Sequence, residues 1–466
     1  MAELDAAELA RLLGQPGLRA HFVGVGGAGM APLASIVAAR GWRVSGCDLG
    51  QTEVTRELSE AGIPVALGHA PAHVADAELV VASSAVPADA PELAAARADG
   101  LPIVKRAVLT GGLTRTGRAL CVAGTHGKTT TTALAAVMLL GAGVDASVLV
   151  GGAVPGIGVG GRSGRADVLV VESDEFDRSF LSFRPYVAIV QNVEADHLDY
   201  YRDLAAIEAA FRAFLALVPP GGRSIVGLDD PGAMRVAPPD ATTFGLAEGA
   251  DWRATELRSN EVGGTDFELI APGRRRLSAR LAMPGEHNVR NALAAAAALD
   301  ALGVDPARGL AALADFPGPR RRFELKGEVG GVAVYDDYAH NPTKVRAALA
   351  GARTRTRGQL WCLFPPHTYH RTWSLFDEFA RSFGEADRVL VLPIYSPAGR
   401  EQPIPEVSSE RLVAAMRHRS ARAVGSFDEA AELVAAGARP GDLVVTMGAG
   451  DVTRLAPAIV ARLAAR

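Results

Sequence analysis

LCVAGTHGKTTTTALAAVMLL (residues 120–140) decides how the rest of the chain is read. An apolar run meets Gly-Thr-His-Gly-Lys-Thr-Thr, and about four turns of helical pattern follow, ended by Gly141 or Gly143. Strand, glycine loop and helix start in that order turn backbone amides and a helix N-terminus toward one point, which is how a chain holds phosphate. Lys128 would neutralise phosphate charge and the Thr129 hydroxyl would reach a magnesium ion. The generic loop needs a glycine where Val122 stands, so the pattern is a shortened one. The chain uses only four lysines against 44 arginines. A lysine retained at 128 fits a site that wants a compact ammonium rather than a planar fork.

Upstream, short apolar runs alternate with helical patterns, as in a parallel sheet wound with helices. GVGGAG (24–29) follows the strand AHFVGV and opens a helix, and Asp48 lies 19 residues beyond Gly29. This is the fingerprint of a pyrophosphate attached to a ribose, without saying whose. TGGLTRTGR (110–118) reads as a polar connector, and a domain boundary is expected there.

Downstream, VVESDEFD places Glu172 at the carboxyl end of an apolar strand, where ligands gather in open α/β sheets and where a carboxylate suits magnesium. Asp174, Glu175 and Asp177 read as a solvated acidic turn. The next apolar strand delivers Glu194, Asp196 and His197 to the same edge. GEHNVRN (285–291), DDYAHNPTK (336–344) and PPHTYHRT (365–372) each put polar side chains at a helix start, and DFPGPRRRF (315–323) reads as a hinge. The expected class is therefore α/β, with three domains each built on a mostly parallel sheet wound with helices. These are a Rossmann-like unit over 1–117, a P-loop ATPase unit over 118–318 and a second Rossmann-like unit over 319–466.

The 466-residue length agrees with about three domains. A net charge of −4 gives no electrostatic reason to expect nucleic acid. No apolar run approaches the roughly 18 residues needed to span a bilayer. The acidic start MAELD lacks the basic region of a signal peptide. Cys47, Cys121 and Cys362 have no metal-ligand spacing and read as buried, inert thiols of a cytoplasmic protein.

Together the strings HFVGVGGAGM, AGTHGKTTT, ESDEFDRSFL, NVEADHLDYY, GEHNVRNA, RRF, DDYAHNPT and MGAG resemble the Mur ligase family, ATP-dependent amide-forming enzymes of peptidoglycan synthesis. The family's own phosphate loop is the shortened form, which accounts for Val122. The strings lie nearest the branch that joins L-alanine to the lactyl carboxylate of UDP-N-acetylmuramate. The resemblance implies that Gly26, Gly27, Ala28, Gly29 and Met30, with Asp48, His69, Ser83, Ser84 and Arg106, hold the UDP-sugar. It implies that Gly124, Thr125, His126, Gly127, Lys128, Thr129 and Thr130 bind the ATP phosphates, and that Thr129, Glu172 and His197 hold Mg²⁺. His287, Asn288 and Asn291 would frame adenine, while Arg322 and Asp337 would approach the γ-phosphate and ribose. Tyr338, His340, His367 and Arg371 would face the amino acid, with Lys128, Glu172, His197, His340 and Arg371 carrying the chemistry. A monomer or homodimer is expected.

Departures cluster on the acceptor side. Asn341 and Thr368 stand where relatives carry His and Arg, Pro365-Pro366-His367 stands where they carry Gln-Pro-His, and Phe176 replaces a small polar residue. A sister ligase that couples a preformed peptide to the muramate is the alternative. An NAD-dependent oxidoreductase would explain the first fingerprint and leave the central loop and carboxylates without a use.

Overall fold

The computed structural model describes residues 4–83, 86–196, 200–396 and 402–466. Among these the strands form three sheets. The first comprises β1 (Arg19–Val23), β2 (Arg43–Asp48), β3 (Val65–Leu67), β4 (Leu79–Ala82) and β5 (Ile103–Lys105), in the order β3-β2-β1-β4-β5. All its pairings are parallel. The order reverses beside β1, so a crevice opens at the carboxyl ends where GVGGAG lies.

The second sheet has ten strands: β6 (Arg118–Ala123), β7 (Ser147–Val154), β8 (Gly158–Arg162), β9 (Val168–Glu172), β10 (Val187–Val190), β11 (Arg223–Gly227), β12 (Thr242–Gly245), β13 (Trp252–Ser259), β14 (Thr265–Ala271) and β15 (Arg275–Leu281). Its order is β15-β14-β13-β12-β11-β10-β6-β9-β7-β8. β6 is central and runs parallel to both neighbours, with Val122 opposite Glu172 on β9 and Ala123 opposite Val190 on β10. Strands buried on both faces read as unbroken apolar runs, which is how LCVA, VLVV and VAIV appear. The antiparallel pairs β7–β8, β13–β14 and β14–β15 depart from the expected parallel winding.

The third sheet contains β16 (Glu324–Val329), β17 (Val332–Asp337), β18 (Leu360–Phe364), β19 (Arg388–Val391), β20 (Ala421–Ala423) and β21 (Leu443–Met447), in the order β16-β17-β21-β18-β19-β20. It is parallel apart from β16 against β17.

The chain divides into two compact units. The first holds Met1–Asn260, Gly264–Ala282 and Asn288–Phe316, and so contains the first two sheets; the second holds Glu261–Gly263, Met283–His287 and Pro317–Arg466. A single apolar core explains why two sheets make one unit. It runs from Phe22, Leu33 and Val37 through Leu109 and Leu113 to Cys121, Phe180 and Phe211. The segment TGGLTRTGR is not a free connector. Its first four residues complete the helix Arg106–Leu113. A side chain at Gly112 would meet Leu9 Cβ at 2.9 Å, so the glycine admits the helix Ala6–Leu12 at close range. That contact outweighs the roughly 1 kcal/mol each glycine costs inside a helix. No helix among the described residues is long and apolar enough to cross a membrane.

Candidate active site

β6 runs into the loop at Gly124, and the helix Lys128–Gly141 starts four residues later. Gly127 closes the turn in the left-handed region at φ 82°, and a Cβ there would lie 2.7 Å from Asn291 Oδ1. Glycine is thus required both for the backbone angle and for the approach of Asn291. Asn192, at the end of β10, brackets His126 from both sides. Its Oδ1 accepts from the His126 amide at 2.7 Å, and its Nδ2 donates to the His126 carbonyl at 3.2 Å. The Glu194 amide donates to Thr125 Oγ1 at 2.9 Å, and Glu194 lies 3.1 Å from His126 Nε2. The loop is therefore braced by the neighbouring strand end. Asn192 was not singled out in the sequence, although its place after an apolar strand was the available signal.

Lys128 Nζ donates to the Gly124 carbonyl at 2.9 Å and lies 2.6 Å from Glu175 and 3.5 Å from Asp174. Burial alone would push this ammonium down, but the two carboxylates outweigh burial and hold it raised. The acidic turn is thus not simply solvated, contrary to its sequence reading. Glu175 is only 3% exposed, and Tyr201 Oη donates to its carbonyl at 2.6 Å. Asp177 and Arg178 take left-handed backbone angles, φ 52° and 59°, and fold the turn back onto the loop.

Glu172 closes β9 beside the loop. Its Oε1 accepts from the Thr129 hydroxyl at 2.9 Å, and its Oε2 accepts from the Gly151 amide at 2.6 Å. A hydroxyl and a carboxylate already in contact are the hard oxygen donors a magnesium ion selects, so these residues fit the ion. His197 lies outside the described residues.

The β7–β8 hairpin joins this edge to the first sheet. Gly151 on β7 touches Glu172, while Gly160 on β8 packs so tightly that a Cβ would overlap the Ala28 carbonyl. Ala28 belongs to the turn Gly26–Met30. Within that turn the Gly26 amide donates to Asp48 Oδ2 at 2.9 Å, and a Cβ on Gly29 would meet Arg106 Nη1 at 2.8 Å. The structure thus brings Gly26, Gly29, Asp48 and Arg106 together. Met30 is a packing residue, buried in the core, with its amide donating to Gly27. His69 Nδ1 donates to the buried carboxylate of Glu92 at 3.0 Å. Ser83 follows β4, and Ser84 lies outside the described residues.

Asn288 and His287 occupy the first turn of the helix Glu286–Ala301. Asn291 Nδ2 donates to Asn288 Oδ1 at 3.4 Å, which keeps those two amides paired.

In the second unit, successive residues at the end of β17 do different work. Asp336 is fully buried against Arg321, Thr446 and Thr453. Asp337 accepts from the Phe323 and Ala339 amides, each at 2.7 Å. Burial pushes the Asp337 carboxyl up, while Arg322 and the two amides pull it back. Its two bonds clamp the RRF turn, in which Arg321 and Phe323 have left-handed φ of 59° and 52°. The ribose role expected for Asp337 therefore has to share a carboxylate already spent on backbone. Arg322 lies over the Tyr338 ring, 5.2 Å from its centroid.

His340 Nδ1 donates to the Tyr338 carbonyl at 2.7 Å, which leaves Nε2 as the acceptor. Burial, with Lys344 and Arg371 nearby, keeps this ring well below the ordinary histidine range and hence neutral. Arg371 Nη1 donates to His367 Nδ1 at 3.1 Å, and the His367 ring stacks on Tyr395. Between them Thr368 sits at φ 67°, an unusual angle for a β-branched residue. Such strain concentrates where a chain is shaped around a ligand. Asn341, where a histidine was expected, caps the helix Pro342–Arg353 by accepting from the Lys344 amide.

Comparison with known proteins gives these features a family. Residues 19–118 match the model of the Mur ligase family catalytic domain, 122–299 the Mur ligase middle domain, and 321–450 the glutamate ligase domain of Mur ligases. The UDP-N-acetylmuramate–L-alanine ligase of Paenarthrobacter aurescens is 45% identical over 453 residues, covering 96% of this chain and 97% of its own. That of Thermobifida fusca is 44% identical, with 96% of each chain covered. Among solved structures, the UDP-N-acetylmuramate–alanine ligase of Thermotoga maritima superposes with a TM-score of 0.79 at 28% identity, covering 96% of this chain and 99% of that one. A murein peptide ligase from Psychrobacter arcticus reaches 0.69 at 26% identity, with 96% and 99% covered. With its shortened phosphate loop, its Thr129–Glu172 pair and matches along nearly its whole length, the chain belongs to the Mur ligase family.

Proposed function

We propose that this protein joins L-alanine to the lactyl carboxylate of UDP-N-acetylmuramate at the expense of ATP, in the cytoplasm, releasing ADP and phosphate. The observation that carries the reading is the cation-ready edge of the central sheet, where Lys128, Thr129 and Glu172 meet. The relatives' shared L-alanine activity supports the acceptor. Functional divisions at 1–117, 118–318 and 319–466 are supported by the three sheets, whose strands lie within Arg19–Lys105, Arg118–Leu281 and Glu324–Met447.

The UDP moiety would lie against Gly26–Gly29, with Asp48, His69, Ser83 and Arg106 around it, and the ATP phosphates against Gly124–Thr130. A lactyl carboxylate oxygen attacks the γ-phosphorus and ADP leaves, giving an acyl phosphate. Both reactants are anionic, so positive charge at the reacting oxygens governs the rate. Lys128 would exchange its carboxylate partners for phosphate oxygens. Thr129 and Glu172 would hold Mg²⁺, which would supply charge neutralisation and alignment of the phosphates. The amine of alanine then attacks the acyl carbon, its proton passes to a base, and phosphate leaves. His340 suits that proton, being neutral with Nε2 available. Arg371 would hold the alanine carboxylate.

The test is phosphate release from ATP. It should require UDP-N-acetylmuramate and L-alanine together; release with a preformed peptide but not L-alanine would assign the sister activity. The acceptor site has its own prediction. Arg371→Ala raises the KM for L-alanine by roughly 30- to several-thousand-fold, the range for truncating one partner of a charge-paired contact, and leaves the KM for ATP nearly unchanged. An unaltered alanine KM would move the carboxylate contact to another residue.

A further inference from the structure

The first sheet carries a cluster of metal-ligating groups that phosphoryl transfer does not use. Cys47 is the penultimate residue of β2, beside Asp48, and His69 follows β3. His73 lies in the short turn Pro71–Val74, and Glu92 in the first turn of the helix Pro91–Ala98. Glu92 is fully buried. Cys47 Sγ lies 3.4 Å from Glu92 Oε1 and 3.7 Å from His69 Nδ1. His69 Nδ1 is 3.0 Å from Glu92 Oε2, and His73 Nδ1 is 2.8 Å from Glu92 Oε1. Ligand atoms 2.0–2.3 Å from a tetrahedral ion stand about 3.3–3.8 Å apart, close to the separations among Cys47, His69 and Glu92, whose ligand atoms all lie within 4.8 Å of one another. His21, 2% exposed, adds an independent sign. Its Nδ1 pairs with Ser45 Oγ at 2.9 Å, while its Nε2 is buried with no hydrogen-bond partner among the described residues. His21, Cys47 and His73 also offer ligand atoms within 4.8 Å of one another.

We propose that Cys47, His69 and Glu92 form a three-ligand site for a zinc-class divalent cation, with the fourth tetrahedral position open and His73 orienting the Glu92 carboxylate by its hydrogen bond. On binding, the thiol proton leaves to solvent, and the His69 imidazole carries its proton on Nε2 and presents Nδ1 to the ion. One thiolate and one carboxylate balance the two positive charges, so the buried site is neutral overall. Thiolate and imidazole select a zinc-class ion over magnesium, which takes oxygen donors. The Cys47 carbonyl accepts from the Gly24 and Val25 amides, so the ion would staple the strand end that shapes the glycine turn.

The experiment uses the full chain, stripped with a chelator and titrated with Co²⁺. One cobalt per chain is expected, with a near-ultraviolet thiolate-to-cobalt charge-transfer band that Zn²⁺ abolishes and excess Mg²⁺ does not. Among the described residues the other two cysteines are not grouped with further metal ligands, so the band reports Cys47. Cys47→Ser should remove the band and weaken Zn²⁺ binding beyond the roughly 10- to 100-fold that follows loss of a ligand's hydrogen-bond partner. His73→Asn removes the hydrogen-bond partner of Glu92 and should weaken binding by roughly 10- to 100-fold while keeping the band. Cobalt bound by the unaltered protein without the band, no cobalt bound, or a band surviving in Cys47→Ser would each overturn the site.

Discussion

Lys128→Ala abolishes product formation while UDP-N-acetylmuramate continues to bind. Removing a charged donor aimed at a transferring phosphoryl group costs at least roughly 100- to 1,000-fold in kcat. The sugar nucleotide would meet the Gly26–Gly29 turn, Asp48 and Arg106, none of which Lys128 touches. The structure adds a complication. Glu175 is 3% exposed and loses its ammonium partner in the variant. Leaving one member of a buried pair uncompensated typically costs about 3–5 kcal/mol. The double variant Lys128→Ala/Glu175→Gln removes both charges and should recover much of that loss without recovering activity. Calorimetry with the UDP-sugar, alongside urea unfolding, separates the two effects. If UDP-sugar affinity falls as far as activity in the double variant, the two nucleotides do not occupy separate sites.

Glu172→Ala is the second large effect. The carboxylate is bonded to the Thr129 hydroxyl and the Gly151 amide, so its loss removes an ion ligand and unties the hairpin that reaches the sugar-nucleotide turn. A fall in kcat of about 1,000-fold, several kcal/mol of transition-state stabilisation, is expected, with only partial relief at high magnesium. Asp174→Ala serves as the control. Its side chain is 55% exposed and 3.5 Å from Lys128 Nζ, so water screens its half of the pair and its loss should cost far less. Equal losses in the two variants across a magnesium titration would remove Glu172 from the ion site.

The contrast between these carboxylates shows where sequence reading stops. The apolar strands, the glycine loop and the position of Glu172 at a strand end follow from local pattern and are found as read. Glu175 lies three residues further in an acidic run whose members look alike. Its burial depends on Tyr201, 26 residues downstream, and on two left-handed residues that no propensity predicts. The same limit applies at β17. Asp336 and Asp337 face opposite sides of a strand, and the partners Arg321, Thr446 and the Phe323 amide decide which carboxylate serves what. The segment TGGLTRTGR misled for a third reason. Glycines that weaken an isolated helix are kept there because a neighbouring helix needs the room.

The central place of β6 has a consequence for synthesis on the ribosome. Its two partners, β9 and β10, are both encoded downstream, and Val190 closes the second of them. While the chain is being made, residues 120–130 therefore emerge with neither flanking strand to pair with. Asn291, which packs against Gly127, is translated a further hundred or so residues later. Long-range parallel pairing of this kind is slow and leaves edges open until it completes. The nascent phosphate loop would thus spend much of translation as an exposed apolar strand and a loose glycine turn. Its dependence on chaperones should be greatest before Val190 has emerged, while the flanking strands are incomplete.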